Sequence, residues 1–278
     1  KHIILDEAHL MSKRGTQIRK LIKQVGITHV LGLTATAVYL DSGFEGAQIN
    51  MITDTWGSLF KSINHLTQIK HLVDNNYWSK LSYKIINQDE SKLVVNKSGS
   101  DYNLDSLSAF FKQNDLEKQT VVEVMHLVAE GRKSILVFVP NIEEAISLSK
   151  KISISRVLHS GTPTAERDEI VNGFKSLEIP VVVNVGILST GFDHPQLDAI
   201  VLTRTLMSIT LYYQMLGRGV RTHADKKDCK IVDLSNSYNR FGKIEDLNYG
   251  FIEGHGWGLY QDNSLLTGVP LKSVVRPT

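Results

Sequence analysis

The sequence contains very little cysteine and no strong excess of charge. Cys229 is the single cysteine among 278 residues, which excludes a disulfide scaffold and a zinc site built from four cysteines. The formal net charge is only +2 at pH 7. Charge alone would therefore not hold the protein on a polyanion, and a nucleic-acid partner would need a local groove.

Long apolar runs are also absent. Runs such as 135–139 and 181–183 are far shorter than the roughly 18 residues needed to cross a bilayer, and no basic-then-apolar leader opens the chain. Hydrophobic residues make up 42% and charged residues 22%, which is typical of a globular protein. We expect no membrane partner, a reducing compartment and a location in the cytoplasm of a bacterium or phage-infected cell.

Apolar strands and amphipathic helices alternate along much of the chain, and this pattern predicts an α/β fold with parallel sheets covered by helices. The predicted strands are 3–5, 28–33, 81–86, 134–139, 155–158, 180–184, 199–203 and 229–233. The predicted helices are 14–25, 66–76, 116–130, 142–151, 164–174 and 208–218. Residues 40–55 are predicted to form a loop and residues 87–103 a linker, and the structure of the tail from residue 248 is left open.

The first residues read as a buried strand with no element before it. Parallel strands are covered by helices on both faces, so we expect this chain to be a C-terminal fragment. The predicted units are 1–60, 61–115, 116–245 and a tail, 246–278.

Two carboxylates stand directly after the first strand. Asp6 and Glu7 are followed by Ala8 and His9, and ligands of an open parallel sheet bind beyond the carboxyl ends of its strands. Asp6 could hold Mg²⁺ through its water shell, and Glu7 could orient or deprotonate a water. The alternative is an acidic helix start, since carboxylates favour the positive end of a helix dipole.

Two threonines, Thr34 and Thr36, end the second strand in the same way. If the two strands are neighbours, these hydroxyls lie beside Asp6 and Glu7. They could then link a nucleotide site to a mobile part, although for this motif alone a strand end capped by threonine is the better explanation.

The most specific feature of the sequence is the run 214–221. Gln214 precedes Arg218 and Arg221, which are three residues apart and share one face of a helix end. Glycines at 217 and 219 are poor helix formers and suggest a close approach of the backbone to phosphate. The guanidinium groups could stabilise charge on phosphate oxygens, whereas the alternative is a helix C-terminus with favourable cations.

Taken in order, these motifs resemble the second half of a superfamily 2 helicase. Asp-Glu-Ala-His is similar to motif II, Thr-Ala-Thr to motif III, the strand 135–139 to motif IV, 184–193 to motif V and 214–221 to motif VI. A closer resemblance is to the RadD-like DNA helicases of bacteria and phages. It is carried by Asp101, Tyr102, Asp233 and the runs 184–193, 214–219 and 241–245.

This resemblance implies part of a first RecA-like domain and a complete second one, with ATP and Mg²⁺ between them and nucleic acid across both. The implied catalytic residues are Asp6, Glu7, Gln214, Arg218 and Arg221, with Asp6 as the metal ligand. Gly191 and Asp193 are implied to bind ATP, and His9, Thr34 and Thr36 to couple hydrolysis to movement. The implied nucleic-acid contacts are Asn141, Gly161, Asn184 and Thr190.

Three departures from the family pattern are visible. No Gly-Lys-Ser/Thr loop occurs anywhere, so the chain has no P-loop. Val185 stands where many relatives have a threonine. One cysteine cannot form the zinc element that some RadD-like proteins carry.

Several functions agree with these residues. A DNA helicase or translocase in repair or recombination is the first hypothesis. The alternatives are an RNA helicase, the translocase subunit of a restriction enzyme, and a non-catalytic nucleic-acid-binding module.

Overall fold

The computed structural model describes residues 1–12, 17–43, 46–54, 58–188, 192–254 and 256–269. The strands are β1 His2–Leu5, β2 His29–Gly32, β3 Val38–Gly43, β4 Gly46–Met51, β5 Leu81–Ile85, β6 Ile135–Phe138, β7 Ser155–His159, β8 Val181–Val185, β9 Ala199–Leu202, β10 Cys229–Asp233, β11 Leu247–Ile252, β12 Gly256–Gln261 and β13 Ser264–Leu265. The α-helices are α1 Gln17–Val25, α2 Ile69–Asp74, α3 Leu104–Gln113, α4 Leu116–Ala129, α5 Ile142–Lys151, α6 Thr164–Lys175, α7 Ile209–Leu216 and α8 Ser237–Phe241. Two 3-10 helices, Ala8–Ser12 and Ile244–Asp246, complete the described elements.

A parallel sheet of six strands, in the order β5-β10-β9-β6-β8-β7, forms the centre of the molecule. All four residues of β6 are buried, because helices cover both faces of the sheet. Successive side chains point to opposite faces: Leu136 and Phe138 belong to one hydrophobic core, and Ile135 and Val137 belong to the other. This arrangement confirms the predicted α/β fold of the RecA-like type.

The local predictions agree closely with the structure between residues 116 and 233. Helix α5 has the predicted bounds. Its N-cap is Asn141, whose Oδ1 accepts a hydrogen bond of 3.0 Å from the backbone N–H of Glu144. The elements of this region are predictable because apolar periodicity and caps coincide along the sequence.

A second, two-stranded parallel sheet holds the acidic motif. Strands β1 and β2 pair in parallel, with Leu5 opposite Gly32, so the residues that follow each strand emerge side by side. The backbone N–H of Ala8 donates to the carbonyl of Leu33 at 2.9 Å. Leu5, Ala8, Ile52 and Phe60 form a small buried core beneath this pair.

The predicted loop at 40–55 is wrong. Strands β3 and β4 form an antiparallel hairpin there, in which Val38, Ile49 and Met51 are buried. In β4 the buried apolar residues occupy every second position, as in a strand with one covered face. The prediction failed because the Asp, Ser, Gly and Asn residues in this segment are typical of a loop.

The segment 61–115 contributes directly to the main sheet. Strand β5 pairs in parallel with β10, and α3 buries Leu107, Phe110 and Phe111. The predicted linker at 87–103 has no strand or helix in the structure, but Val95 and Tyr102 form an isolated bridge and are buried. The unit boundaries at 60, 115 and 245 stay a prediction.

The tail folds into the antiparallel sheet β11-β12-β13. It packs against the hairpin, since Thr267 bridges to Ile49 and the N–H of Gly268 donates to the carbonyl of Ile49 at 2.7 Å. No helix among the described residues is long and apolar enough to cross a membrane.

Candidate functional site

The site lies where the acidic motif meets the end of α7. Asp6 is exposed, whereas His9 is buried. Glu7 adopts a positive φ of 49°, which is uncommon outside glycine, and its side chain remains 41% exposed. The backbone N–H of Glu7 donates to Oδ1 of Asp6 at 2.9 Å. The two carboxylates are therefore held by a tight turn while remaining open to solvent.

His9 connects the acidic motif to the threonine motif. Its Nδ1 lies 3.3 Å from Oε2 of Glu7 and 3.0 Å from Oγ1 of Thr34. The hydroxyl of Thr34 donates to the carbonyl of Thr36 at 2.9 Å, so its one hydrogen is already used. Nδ1 of His9 must then be the protonated nitrogen, which donates toward Thr34 and Glu7.

His9 also reaches helix α7. The Nε2 atom of Gln214 lies 3.4 Å from Nε2 of His9. With the proton on Nδ1, the other ring nitrogen is an acceptor for this amide. Burial lowers the pKa of His9, and the nearby charge of Glu7 opposes that change in part. A neutral ring therefore links Glu7 to Gln214, which are far apart in the sequence.

The arginine side of the site is built from the end of α7. Nη1 of Arg218 donates to the carbonyl of Phe192 at 2.6 Å, and Arg221 forms an ion pair with Asp193. Burial lowers the pKa of Arg218, and Arg221 lowers it further, whereas Glu7 and Asp193 raise it. The two guanidinium groups and the carboxylates of Glu7 and Asp193 are therefore close enough to influence one another.

Gly219 has a different role from the predicted one. A Cβ atom at this position would lie 2.5 Å from Sγ of Cys229 and 3.2 Å from Cδ1 of Ile200. The end of α7 packs directly on β9 and β10, so close packing within the protein, rather than approach to a phosphate, accounts for this glycine.

The predicted nucleic-acid contacts that the structure describes lie at one edge of the main sheet. Asn141, Gly161 and Asn184 follow or end the neighbouring strands β6, β7 and β8, so they share the carboxyl edge. Gly161 is exposed, and Asn141 donates through Nδ2 to Oγ of Ser108 at 2.7 Å.

Asn184 is fully buried. Its Oδ1 accepts from the N–H of Leu188 at 3.1 Å, so it has a structural role in the following turn. Its contact with nucleic acid stays a prediction. Thr190 and Gly191 lie outside the described residues.

Sequence reasoning missed the residues that hold the threonine motif in place. The hydroxyl oxygen of Tyr249 accepts from the N–H of Ala37 at 2.9 Å. Gln68 pairs with the backbone of Tyr249 through both ends of its amide, and Oγ1 of Thr210 donates to the carbonyl of Val38 at 3.2 Å. These contacts join the tail, the threonine motif and α7, and no local pattern signals them.

Comparison with known families addresses the region that contains α4 to α7. Residues 117–223 match the family described as "Helicase conserved C-terminal domain". These residues are therefore similar to the C-terminal domain of helicases. The predicted resemblance at the level of the superfamily is thus confirmed, while the closer resemblance to RadD-like helicases stays a prediction.

Curated relatives are similar to most of this chain. It is 28% identical over 258 residues to irc3 of Schizosaccharomyces pombe, named as a mitochondrial ATP-dependent helicase, covering 86% of this chain and 39% of that protein. It is 27% identical to the ATP-dependent helicase IRC3 of Saccharomyces cerevisiae, with 84% and 33% covered. A 51.5 kDa protein of a Lactococcus phage is 27% identical, with 92% and 54% covered. The chain thus spans between a third and about half the length of these relatives.

Solved structures share the fold at low sequence identity. A fragment of an HsdR subunit of a type I restriction enzyme from Vibrio vulnificus YJ016 has a TM-score of 0.62 at 14% identity, covering 99% of this chain and 48% of that chain. The ATP-dependent Type ISP restriction-modification enzyme LlaBIII bound to DNA has a TM-score of 0.58 at 14% identity, with 84% and 18% covered.

The described residues fit one side of a site for ATP and Mg²⁺. No group of three or more His, Cys, Asp or Glu residues that could hold a metal ion occurs in the described ranges. Mg²⁺ usually keeps several waters and takes one or two protein carboxylates beside substrate phosphates. The exposed carboxylate of Asp6 is a donor of that kind, and the guanidinium groups of Arg218 and Arg221 suit phosphate oxygens.

Proposed function

We propose that this chain is part of an ATP-dependent helicase or translocase that acts on DNA. The observation that carries the proposal is the contact path from Glu7 through His9 to Gln214. It joins a carboxylate suited to activating water with the helix that bears the two arginines. The similarity to helicases named as ATP-dependent supports this proposal.

Each side chain of the path has a defined part in this proposal. Glu7, more than a third exposed, orients a water and accepts its proton. His9 holds Glu7 through its Nδ1–H. Because His9 also contacts Thr34 and Gln214, a change in the protonation or position of Glu7 alters those contacts. Arg218 and Arg221 place positive charge where negative charge grows during phosphoryl transfer. ATP bound with Mg²⁺ would supply the phosphoryl group and the Lewis acid, with Asp6 as the protein ligand of the metal.

The threonine motif connects the site by direct contacts to the tail and to helix α7. Thr34 contacts His9, and the next residues contact Tyr249 of the tail and, through Val38, Thr210 of α7. A change at Glu7 therefore reaches both the tail and the second half of the molecule through direct contacts. This is what a motor that couples hydrolysis to movement requires.

The proposal is tested in the longer protein that contains this chain. Glu7→Gln keeps the shape of the side chain but removes its proton acceptor, so we expect ATP hydrolysis to fall by roughly 10² to 10⁴ fold while nucleotide binding is retained. Hydrolysis is measured as phosphate release with single-stranded DNA, with single-stranded RNA and without nucleic acid. Glu178→Gln removes an exposed carboxylate from the region after α6 and is the matched control.

The same measurements separate the alternatives. Full hydrolysis by the Glu7→Gln variant would overturn the role of Glu7. Stimulation by RNA but not by DNA would favour the RNA helicase. Nucleic-acid binding without any hydrolysis in the parent protein would favour a non-catalytic binding module.

A further inference from the structure

A cavity opens beside the N-terminal end of helix α5. It has a volume of about 250 Å³ and opens between the C-terminal end of α3 and the N-terminal ends of α4 and α5. Its lining residues are Phe111, Lys112, Asp115, Glu117, Glu143, Glu144 and Ser147. None of them belongs to the site described above.

The lining of this cavity is strongly acidic. It contains four carboxylates and one cationic residue, Lys112. One carboxylate is already neutralised, because Glu117 pairs with Lys151 and accepts from Oγ of Ser147. Hydrogen bonds from these partners lower the pKa of Glu117. Three carboxylates against one lysine remain, which excludes a polyanion such as nucleic acid as the ligand.

Glu144 is the informative member of this lining. Glu144 is only 5% exposed. Both carboxylate oxygens are buried and have no hydrogen-bond partner among the described residues. A carboxylate in the first turn of α5 is favoured by the helix dipole, but that effect leaves both oxygens without a donor. Buried polar groups are normally hydrogen-bonded, so these two oxygens point to a missing donor.

Exposed apolar side chains stand next to the lining positions on α5. Ile142 and Ile146 are 37% and 43% exposed, and each is one residue from a lining position. The ligand should therefore combine a cation with neighbouring apolar groups, which a protein segment does and a free polyamine does not.

We propose that this cavity binds an arginine side chain of a protein partner, with apolar residues of the same segment lying on Ile142 and Ile146. Arginine suits the site better than lysine, because its planar fork donates two parallel hydrogen bonds to both oxygens of one carboxylate. Binding supplies the donors that Glu144 lacks. The proposal is independent of ATP hydrolysis and of the nucleic acid that the protein uses.

The test uses this chain, labelled with ¹⁵N, and the pentapeptide Ala-Leu-Arg-Leu-Ala as the probe. Binding is followed by the amide signals of Glu144 and Ile146 in an NMR titration. A second peptide carries citrulline in place of arginine, which keeps the shape but removes the charge. We expect the arginine peptide to bind at least tenfold more tightly than the citrulline peptide.

Two variants of the cavity and one control complete the test. Glu144→Gln should weaken binding of the arginine peptide at least tenfold. Ser147→Arg, which retains Glu144 and places a guanidinium in the cavity, should abolish binding and raise the Tm. This second variant keeps the test valid if Glu144→Gln fails to fold. Glu169→Gln removes an exposed carboxylate from α6 and should bind like the parent.

Three results would overturn the proposal. The first is equal affinity for the arginine and citrulline peptides. The second is unchanged binding by the folded Glu144→Gln variant or by Ser147→Arg. The third is displacement of the peptide by spermidine at an equal or lower concentration, which would assign the cavity to a small cation instead of a protein segment.

Discussion

At the scale of single residues, the neighbours of a buried titratable group decide whether it serves the site or the fold. His9 and His194 are both almost completely buried, yet their surroundings differ. His9 contacts Glu7, Thr34 and Gln214 at the site. His194 packs between rings of the core, and its Nε2 is hydrogen-bonded to the buried hydroxyl of Ser134 at 2.8 Å.

His194 should make the stability of this protein depend on pH. Burial, helped by the charges of Lys175 and Lys226, lowers the pKa of His194 from 6.5 to about 4. Between these values the unfolded chain binds more protons than the folded one, so the free energy of unfolding falls as the pH falls from 6.5 toward 4. By pH 4.5 this histidine should account for a loss of about 2 kcal/mol.

The measurement is urea unfolding of the parent and of His194→Gln at several pH values between 7 and 4.5. The variant lacks the titrating ring, so its stability should fall less over this range. Parallel curves for the two proteins would mean that His194 does not carry this dependence.

At the scale of elements, the absence of a side chain at Gly219 lets the end of helix α7 pack closely on the sheet. Gly219 follows α7 and faces Cys229 of β10, which is fully buried. Because Arg218 and Arg221 flank this contact, the packing of one glycine positions both guanidinium groups. The side chains that serve the site thus depend on a contact that carries no chemistry of its own.

Gly219→Ala should destabilise the protein by about 1–3 kcal/mol, which is typical of an overpacked core. The new Cβ would lie 2.5 Å from Sγ of Cys229, and neither strand can withdraw without disturbing the sheet. Thermal and urea unfolding report this change.

Gly173→Ala, in helix α6, is the matched control. Its Cβ would first meet Cδ1 of Ile179 at 2.7 Å, which is the flexible end of a side chain. Alanine also favours a helix over glycine by about 1 kcal/mol, so the control should be close to neutral. Equal losses in both variants would contradict the packing role assigned to Gly219.

At the scale of the whole molecule, the described residues supply the acidic and arginine motifs but no loop that cradles phosphate. The chain by itself should therefore show no meaningful ATP hydrolysis, because backbone N–H groups and a lysine normally hold the phosphates. Turnover near typical enzyme values, about 1 s⁻¹ or more, with saturating single-stranded DNA would contradict this prediction.

The same chain should bind single strands weakly and in a salt-dependent manner. Asn141 and Gly161 share the carboxyl edge of the main sheet. Because the net charge of the chain is only +2, we expect few basic side chains to contact phosphates there. A plot of log affinity against log salt should have a slope of about −2, which corresponds to roughly three contacts on a single strand. Fluorescence anisotropy of a labelled oligonucleotide measures it, and affinity independent of salt would indicate stacking instead of phosphate contacts.

The sequence by itself determined the elements of the main sheet and the candidate motifs. Helix α5 and strand β10 have the predicted bounds, since their periodicity, caps and turns are all local properties of the chain. The placement of Asp6 and Glu7 after a strand, and of Arg218 and Arg221 at a helix end, follows from the same local rules.

Only the tertiary structure decided which of these residues meet. Gln214 reaches His9 across 205 positions, and Tyr249 reaches Ala37 across 212. These contacts depend on the strand order and on the packing of the tail sheet, which no local pattern encodes. The burial of Asn184 and the hairpin at Val38–Gly43 and Gly46–Met51 were missed for the same reason. Whether a polar residue faces solvent or a neighbouring element is settled only when distant segments pack together.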